Sequence, residues 1–139
     1  MGILTDVYIA TSKDAANYDA DPQSFRDVTL SAKGITDLEL STLWALFRGE
    51  AWNVESLKQF EHVLVRDGGE RMVIGLPDAL VTYLAESNEQ NLSTVGTQWA
   101  ATEEMVRYSQ YVQDYLRRLA VLSKRARSEN KSLYLWVCV

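Results

Sequence analysis

The last seven residues of the chain, Leu133–Val139, are all apolar, and they constrain the fold more than any other feature. They read LYLWVCV, and β-branched and aromatic side chains of this kind favour a strand. A strand with no polar face is buried on both sides. We therefore predict that the C-terminus forms a strand in the core of a sheet and is not a free tail.

A second strand is predicted near the N-terminus, at Ile3–Ala10. Its sequence, ILTDVYIA, places Ile3 and Val7 on one face and Asp6 and Tyr8 on the other. We expect the first and last strands to lie beside each other in a small sheet. Residues 71–76 are the expected third strand, and residues 28–30 add a short one.

Capping residues predict the first and third helices. Thr36 is a good N-cap, and Glu39 three residues later completes a capping box. The core-facing stripe of this helix is Leu40, Leu43, Trp44 and Phe47, and Gly49 ends it. Pro77 suits the first position of another helix, which continues over residues 78–85.

The segment from Asn53 to Arg66 is ambiguous. Asn53 can cap a helix whose apolar side includes Val54, Phe60 and Leu64. The alternative is a strand over residues 62–66, joined through the Asp67–Glu70 turn to residues 71–76. Short apolar runs fit both structures. We prefer the helix, because its spacing persists from Val54 to Leu64, and the choice stays open.

A long helix is predicted from Ser93 to about Ser128, with Gly96 as an early weak point. Its apolar residues step alternately by three and four, which is a heptad seam. The seam consists of Met105, Tyr108, Val112, Tyr115, Leu119, Leu122 and Ala126. Two tyrosines and an alanine in this seam are more typical of packing inside one chain than of a coiled-coil dimer. We therefore expect a monomer or, as the alternative, a weak homodimer.

Together these elements predict an α+β fold, with a small sheet pairing the terminal strands under several helices. At 139 residues the chain fits a single domain. It has no apparent signal peptide and no apolar run long enough to cross a membrane. Its one cysteine, Cys138, favours a reducing compartment. We expect a cytoplasmic protein without membrane contact.

The residue inventory excludes several chemistries. There is one histidine and one cysteine, so His-rich zinc sites and two-histidine metal triads are ruled out. No glycine-rich phosphate loop and no serine elbow occurs. The sequence thus predicts no metal and no cofactor, and it favours a non-catalytic role.

Eight residues remain as candidates for binding. The connection after the first strand, residues 11–26, carries aspartates but lacks the spacing of a calcium loop. His62 lies near two carboxylates of the Asp67–Glu70 turn. A tryptophan pocket beside an acid pair is the third possibility. The candidates are Asp14, Asp19, Asp21, His62, Asp67, Glu70, Trp99 and Glu103.

Charge is distributed unevenly along the chain. Residues 107–131 carry seven cations and two acids, which gives a net charge of +5. The whole chain carries −5, so the rest carries −10. We expect Glu103 to pair with Arg107 at i+4 on the long helix. The cations themselves are expected to pair within the fold or to complement the helix dipole.

Three functional hypotheses follow. The first is a non-catalytic regulatory protein whose acidic surface meets a basic protein, mainly through residues 11–27, here called the acidic segment. The second is a small-molecule binder or enzyme with a pocket of tryptophans, Trp44, Trp52 and Trp99, and carboxylates. The third is nucleic-acid binding through Arg117–Lys131, which the overall acidity disfavours.

Overall fold

The computed structural model describes residues 2–139. Within these residues there are five strands: β1 (Leu4–Ala10), β2 (Thr29–Lys33), β3 (Glu61–Arg66), β4 (Arg71–Gly75) and β5 (Ser132–Cys138). They form one antiparallel sheet in the order β2-β1-β5-β4-β3. The pairing of the terminal strands is confirmed, and so is the strand at residues 71–75.

The helices pack on one face of this sheet, so the predicted α+β class is confirmed. They are α1 (Asp37–Arg48), α2 (Val54–Leu57), α3 (Asp78–Glu86), α4 (Glu89–Ala100) and α5 (Ser109–Ser128). Leucines of α1, α3 and α5 join Val7, Ile74 and Leu135 of the strands in the main core. Among residues 2–139, no helix is both long and apolar enough to cross a membrane.

The C-terminal strand is the middle strand of the sheet, as its apolar sequence predicts. Leu133, Leu135 and Val137 face the helices and are almost completely buried. Tyr134 and Trp136 face the opposite side and pack into a second, aromatic cluster. A strand that is apolar on both faces is therefore covered on both faces.

The second face is covered by the segment that the sequence presents as a polar loop. Two short 3-10 helices, Ala15–Asp19 and Pro22–Val28, lie against it. Tyr18 stacks on Tyr8 of β1 with 4.1 Å between ring centroids. Phe25 contacts both rings. Because these aromatic side chains point inward, the aspartates of the same segment are left to face outward or to pair.

The preferred helix through residues 58–64 is wrong, and the strand alternative is correct. α2 is a single turn capped by Asn53, whose side chain accepts a hydrogen bond from Ser56. The chain then enters β3, where Leu64 pairs with Val73 and packs on the aromatic cluster. Positive φ angles at Asp67, Gly68 and Gly69 close the hairpin to β4. The tertiary pairing decides a pattern that periodicity leaves ambiguous.

The prediction of a single long helix is also wrong, because the α-helix is interrupted between Ala100 and Ser109. α4 starts at an Asn88 cap, not at Ser93. Met105, expected on the helix, lies in the break and is fully buried. Gly96 is a packing site, since a Cβ there would overlap the Gln113 side chain of α5. The seam residues Val112, Tyr115 and Leu119 are buried inside the chain.

Local capping of α1 follows the prediction. The Thr36 hydroxyl accepts a hydrogen bond from the Leu38 amide, and the Glu39 carboxylate accepts one from the Thr36 amide at 2.7 Å. Gly49 ends the helix in the left-handed conformation, with φ of 67°.

Candidate functional site

Asp19, one of the predicted binding residues, is an internal anchor of the acidic segment. Its side chain is only 5% exposed. The carboxylate pairs with Arg66 at 3.1 Å and with Arg71 at 3.4 Å. It also accepts a hydrogen bond from the Trp136 indole nitrogen at 3.0 Å. Asp19 therefore ties the segment to β3, β4 and β5.

Two tyrosines fix the same segment from the other side. The Tyr18 hydroxyl donates to the Asp6 carboxylate and the Tyr8 hydroxyl donates to the Ala15 carbonyl, both at 2.6 Å. Burial raises the pKa of both phenols well above its usual value, and the hydrogen bond to Asp6 raises that of Tyr18 further. The segment is thus held in place by buried hydrogen bonds as well as by ion pairs.

The remaining aspartates of the segment point to solvent. Asp14 and Asp21, both predicted binding residues, are exposed, as is Asp27. Within residues 2–139 none of these three carboxylates forms an ion pair. Asp14 and Asp21 flank a shallow depression. In that described part of the chain, no three His, Cys, Asp or Glu side chains gather as a metal site requires.

The candidates around the hairpin do not converge on one site. His62 is half-exposed in β3, and its Nε2 lies 3.9 Å from the Asp37 carboxylate. Asp67 pairs with Arg71 in its own hairpin at 3.0 Å. Glu70 is exposed, and its backbone carbonyl accepts a hydrogen bond from the Val139 amide. The depression beside His62 is lined by Glu61, Asp78 and Tyr134 among others, and includes neither Asp67 nor Glu70.

The tryptophan–carboxylate pocket of the second hypothesis is not assembled by the residues named for it. Trp99 is fully buried, and its indole nitrogen donates to the Glu39 carbonyl at 3.1 Å. Trp44 is also buried, whereas Trp52 is 43% exposed. Glu103 lies in the break between α4 and α5. It forms no ion pair with Arg107 or any other described residue, because this stretch is not α-helical and the i,i+4 spacing is lost.

The cations near the C-terminus of the chain are largely paired. Arg117 contacts Glu89 at 2.7 Å, and Arg118 contacts Asp114 at 2.9 Å. Arg125 and Lys131 both contact Glu129, and Arg125 lowers the pKa of that carboxyl. Four of the seven cations of residues 107–131 therefore form ion pairs within the fold. Arg107, Lys124 and Arg127 form no ion pair among the described residues.

A cavity that sequence reasoning missed lies between β2 and the first half of α5. Its volume is about 420 Å³. Residues 30–33 and Ile35 form one wall, and Met105, Tyr108, Tyr111, Tyr115 and Arg118 contribute to the other. We call it the tyrosine pocket. Its signal in the sequence is the spacing of the three tyrosines at i, i+3 and i+7, which aligns them on one helical face.

Tyr115 stands out within this pocket. The residue is 6% exposed, and its hydroxyl has no hydrogen-bond partner among the described residues. Burial raises its pKa well above the usual value. Nearby, Gly34 has a φ of 75°, and a Cβ there would overlap the Tyr108 hydroxyl. Glycine at this position leaves room for the Tyr108 side chain, which lines the pocket.

Comparisons with known proteins place few limits on function. No family model matches the chain, and no solved structure matches it. A curated protein that it resembles is the S-adenosyl-L-methionine-dependent tRNA 4-demethylwyosine synthase TYW1 of Xenopus laevis. The two are 29% identical over an alignment of 125 residues, and the matched part covers 81% of this chain. The chain spans only 15% of the length of that relative.

Proposed function

We infer that this protein is a non-catalytic interaction protein that binds a basic partner through its acidic segment. The observation that carries the proposal is that the aspartates of the segment differ in burial and in pairing. Asp19 is buried and anchors the segment, whereas Asp14, Asp21 and Asp27 are exposed and unpaired within residues 2–139. Carboxylates that the fold does not neutralise are available to a partner.

The contacts that hold the segment against the sheet support the same proposal. Binding by a flexible loop loses free energy to ordering, whereas a segment fixed in advance avoids much of that loss. Here Tyr18 and Asp19 hold the backbone against the sheet through short hydrogen bonds and ion pairs. Complementary charge mainly raises the association rate. The partner we propose is a basic protein.

The proposal is tested by a pull-down from native lysate at low and at high salt. Wild type is expected to recover a basic protein at low salt and to lose it at high salt, since exposed charges are screened beyond about 8–10 Å at physiological ionic strength. A variant with Asp14, Asp21 and Asp27 changed to Asn should recover none. Asp19 is left intact, because changing it would perturb the fold itself.

The matched control changes three glutamates to Gln that are likewise without an ion pair among the described residues, Glu61, Glu86 and Glu103. These residues are exposed and lie outside the acidic segment. The control therefore removes the same number of negative charges from a different part of the surface. It should recover the partner as wild type does. If the control loses the partner as well, net charge alone is responsible and the proposal fails.

The resemblance to a tRNA-modifying enzyme makes nucleic acid the alternative partner. The pairing of four of the seven C-terminal cations argues against it. RNA recovered by wild type, and lost when Arg117, Arg118, Arg125 and Arg127 are changed to Gln, would replace the proposal. We further propose a monomer in the cytoplasm, because the seam is occupied inside the chain and the one cysteine, Cys138, is partly buried.

A further inference from the structure

The tyrosine pocket has the size and lining of a small-molecule site. Its volume of about 420 Å³ falls within the usual range for ligand pockets, about 300–1,000 Å³. Leu30, Ala32 and Ile35 form an apolar wall, and Met105 and Val112 continue it on the helical side. Arg118, at the pocket, is already paired with Asp114 of the same helix.

The aromatic side chains of the pocket are not all needed by the fold. Tyr111 is 63% exposed although it is a large aromatic residue. It lies at the same wall as Tyr108 and Tyr115. Flat aromatic faces stack on flat ligands, and tyrosine adds a polar edge. An exposed tyrosine beside the half-buried Tyr108 and the buried Tyr115 therefore favours an aromatic ligand.

Unused hydrogen-bonding groups lie at the same place. The Tyr115 hydroxyl is buried and unpartnered within residues 2–139, and such groups are rare enough in proteins to call for an explanation. β2 is an edge strand. Gly34 donates to the Ile3 carbonyl at 2.8 Å. The alternation of an antiparallel ladder then directs the backbone groups of Ser31 and Lys33 away from β1.

From these features we propose that the tyrosine pocket binds a small, flat, largely apolar molecule with an aromatic ring and a single polar group. The ring lies against Tyr111 and the apolar wall of β2. The polar group bonds the free edge of β2 at Ser31 or Lys33. This site is separate from the acidic segment, so the proposal does not depend on the proposed function.

The test uses the neutral fluorescent probe N-phenyl-1-naphthylamine on the folded protein. Wild type should bind it saturably, with one probe per chain. Tyr111→Ala removes an exposed ring and should weaken binding by about tenfold, which equals about 1.4 kcal/mol. Ala32→Trp fills the pocket and should abolish binding. Amide shifts on titration should fall on residues 30–33 and 108–115.

Matched controls are Tyr83→Ala and Val121→Trp. Tyr83 is 39% exposed on α3, and Val121 is 66% exposed on α5 outside the pocket. Both variants should bind the probe as wild type does. Near-ultraviolet circular dichroism confirms that each variant is folded. Tyr111 is exposed, so Tyr111→Ala is expected to fold. This variant still tests the proposal if Ala32→Trp does not fold. Absent or unsaturable binding, or equal binding by Tyr111→Ala and Tyr83→Ala, would overturn the proposal.

Discussion

At the scale of single residues, the aspartates of the acidic segment have different roles despite their identical chemistry. Burial and partners separate them: Asp19 contacts Arg66, Arg71 and Trp136, whereas Asp14 is solvated. The sequence predicts an acidic cluster here, but it does not show which aspartate is buried and which are exposed. The cations that pair with Asp19 are more than 40 residues further along the chain, and only the β3–β4 hairpin brings them near.

We predict that Asp19→Asn lowers the free energy of unfolding by about 1–3 kcal/mol, because it removes two charge-assisted contacts of a buried carboxylate. Asp14→Asn, at an exposed position, should change it by no more than about 0.5 kcal/mol. Urea denaturation of the two variants measures both values. Equal stabilities would mean that Asp19 is not an anchor.

Alkaline pH is expected to unfold the protein through its tyrosines. Burial raises the pKa of Tyr8, Tyr18, Tyr115 and Tyr134. In the unfolded chain these phenols ionise near pH 10. Since the folded pKa values are higher, their contribution to stability is complete below about pH 10 and is lost as the pH rises above it. Tyrosinate absorbance and far-ultraviolet circular dichroism should change together for these residues. Ionisation of all seven tyrosines in a folded protein would contradict this expectation.

At the scale of secondary-structure elements, the sequence predicts what local chemistry controls. The α1 cap at Thr36 and the apolar C-terminal strand β5 are both found where they are predicted. The elements it misplaces are those that tertiary contacts decide. β3 is a strand because Leu64 reaches the aromatic cluster. The helix predicted from Ser93 to Ser128 breaks, and Met105 enters the core at the break.

The seam of α5 is expected to stabilise the monomer. Leu119 is fully buried against the main core, so Leu119→Ala should lower stability by about 2–5 kcal/mol. Val121→Ala on the exposed face of the same helix is the control, with a change within about 0.5 kcal/mol. Sedimentation should give a monomer for all three proteins. A wild-type dimer that Leu119→Ala converts to a folded monomer would identify the seam as an interface.

At the scale of the whole molecule, the sheet is covered on one face by helices and on the other by the acidic segment. The main core and the aromatic cluster lie on opposite sides of β5. The inward ring of Tyr18 and the outward carboxylates of Asp14 and Asp21 belong to one short stretch. Polar composition suggests a loop, but a few aromatic residues are sufficient to fix it. The tyrosine pocket, by contrast, forms only where α5 overlies β2, and no local pattern predicts its volume.

In this protein the acidic segment is a fixed surface and not a mobile loop. Amide hydrogen exchange tests this most directly, because exchange requires each hydrogen bond to open. The amides of Ala15, Asn17, Ala20 and Asp21 donate backbone hydrogen bonds. We predict that these amides are protected in the folded protein, with β5 protected most strongly. Exchange of the segment at the rate of an unfolded chain, with the sheet still protected, would contradict the account.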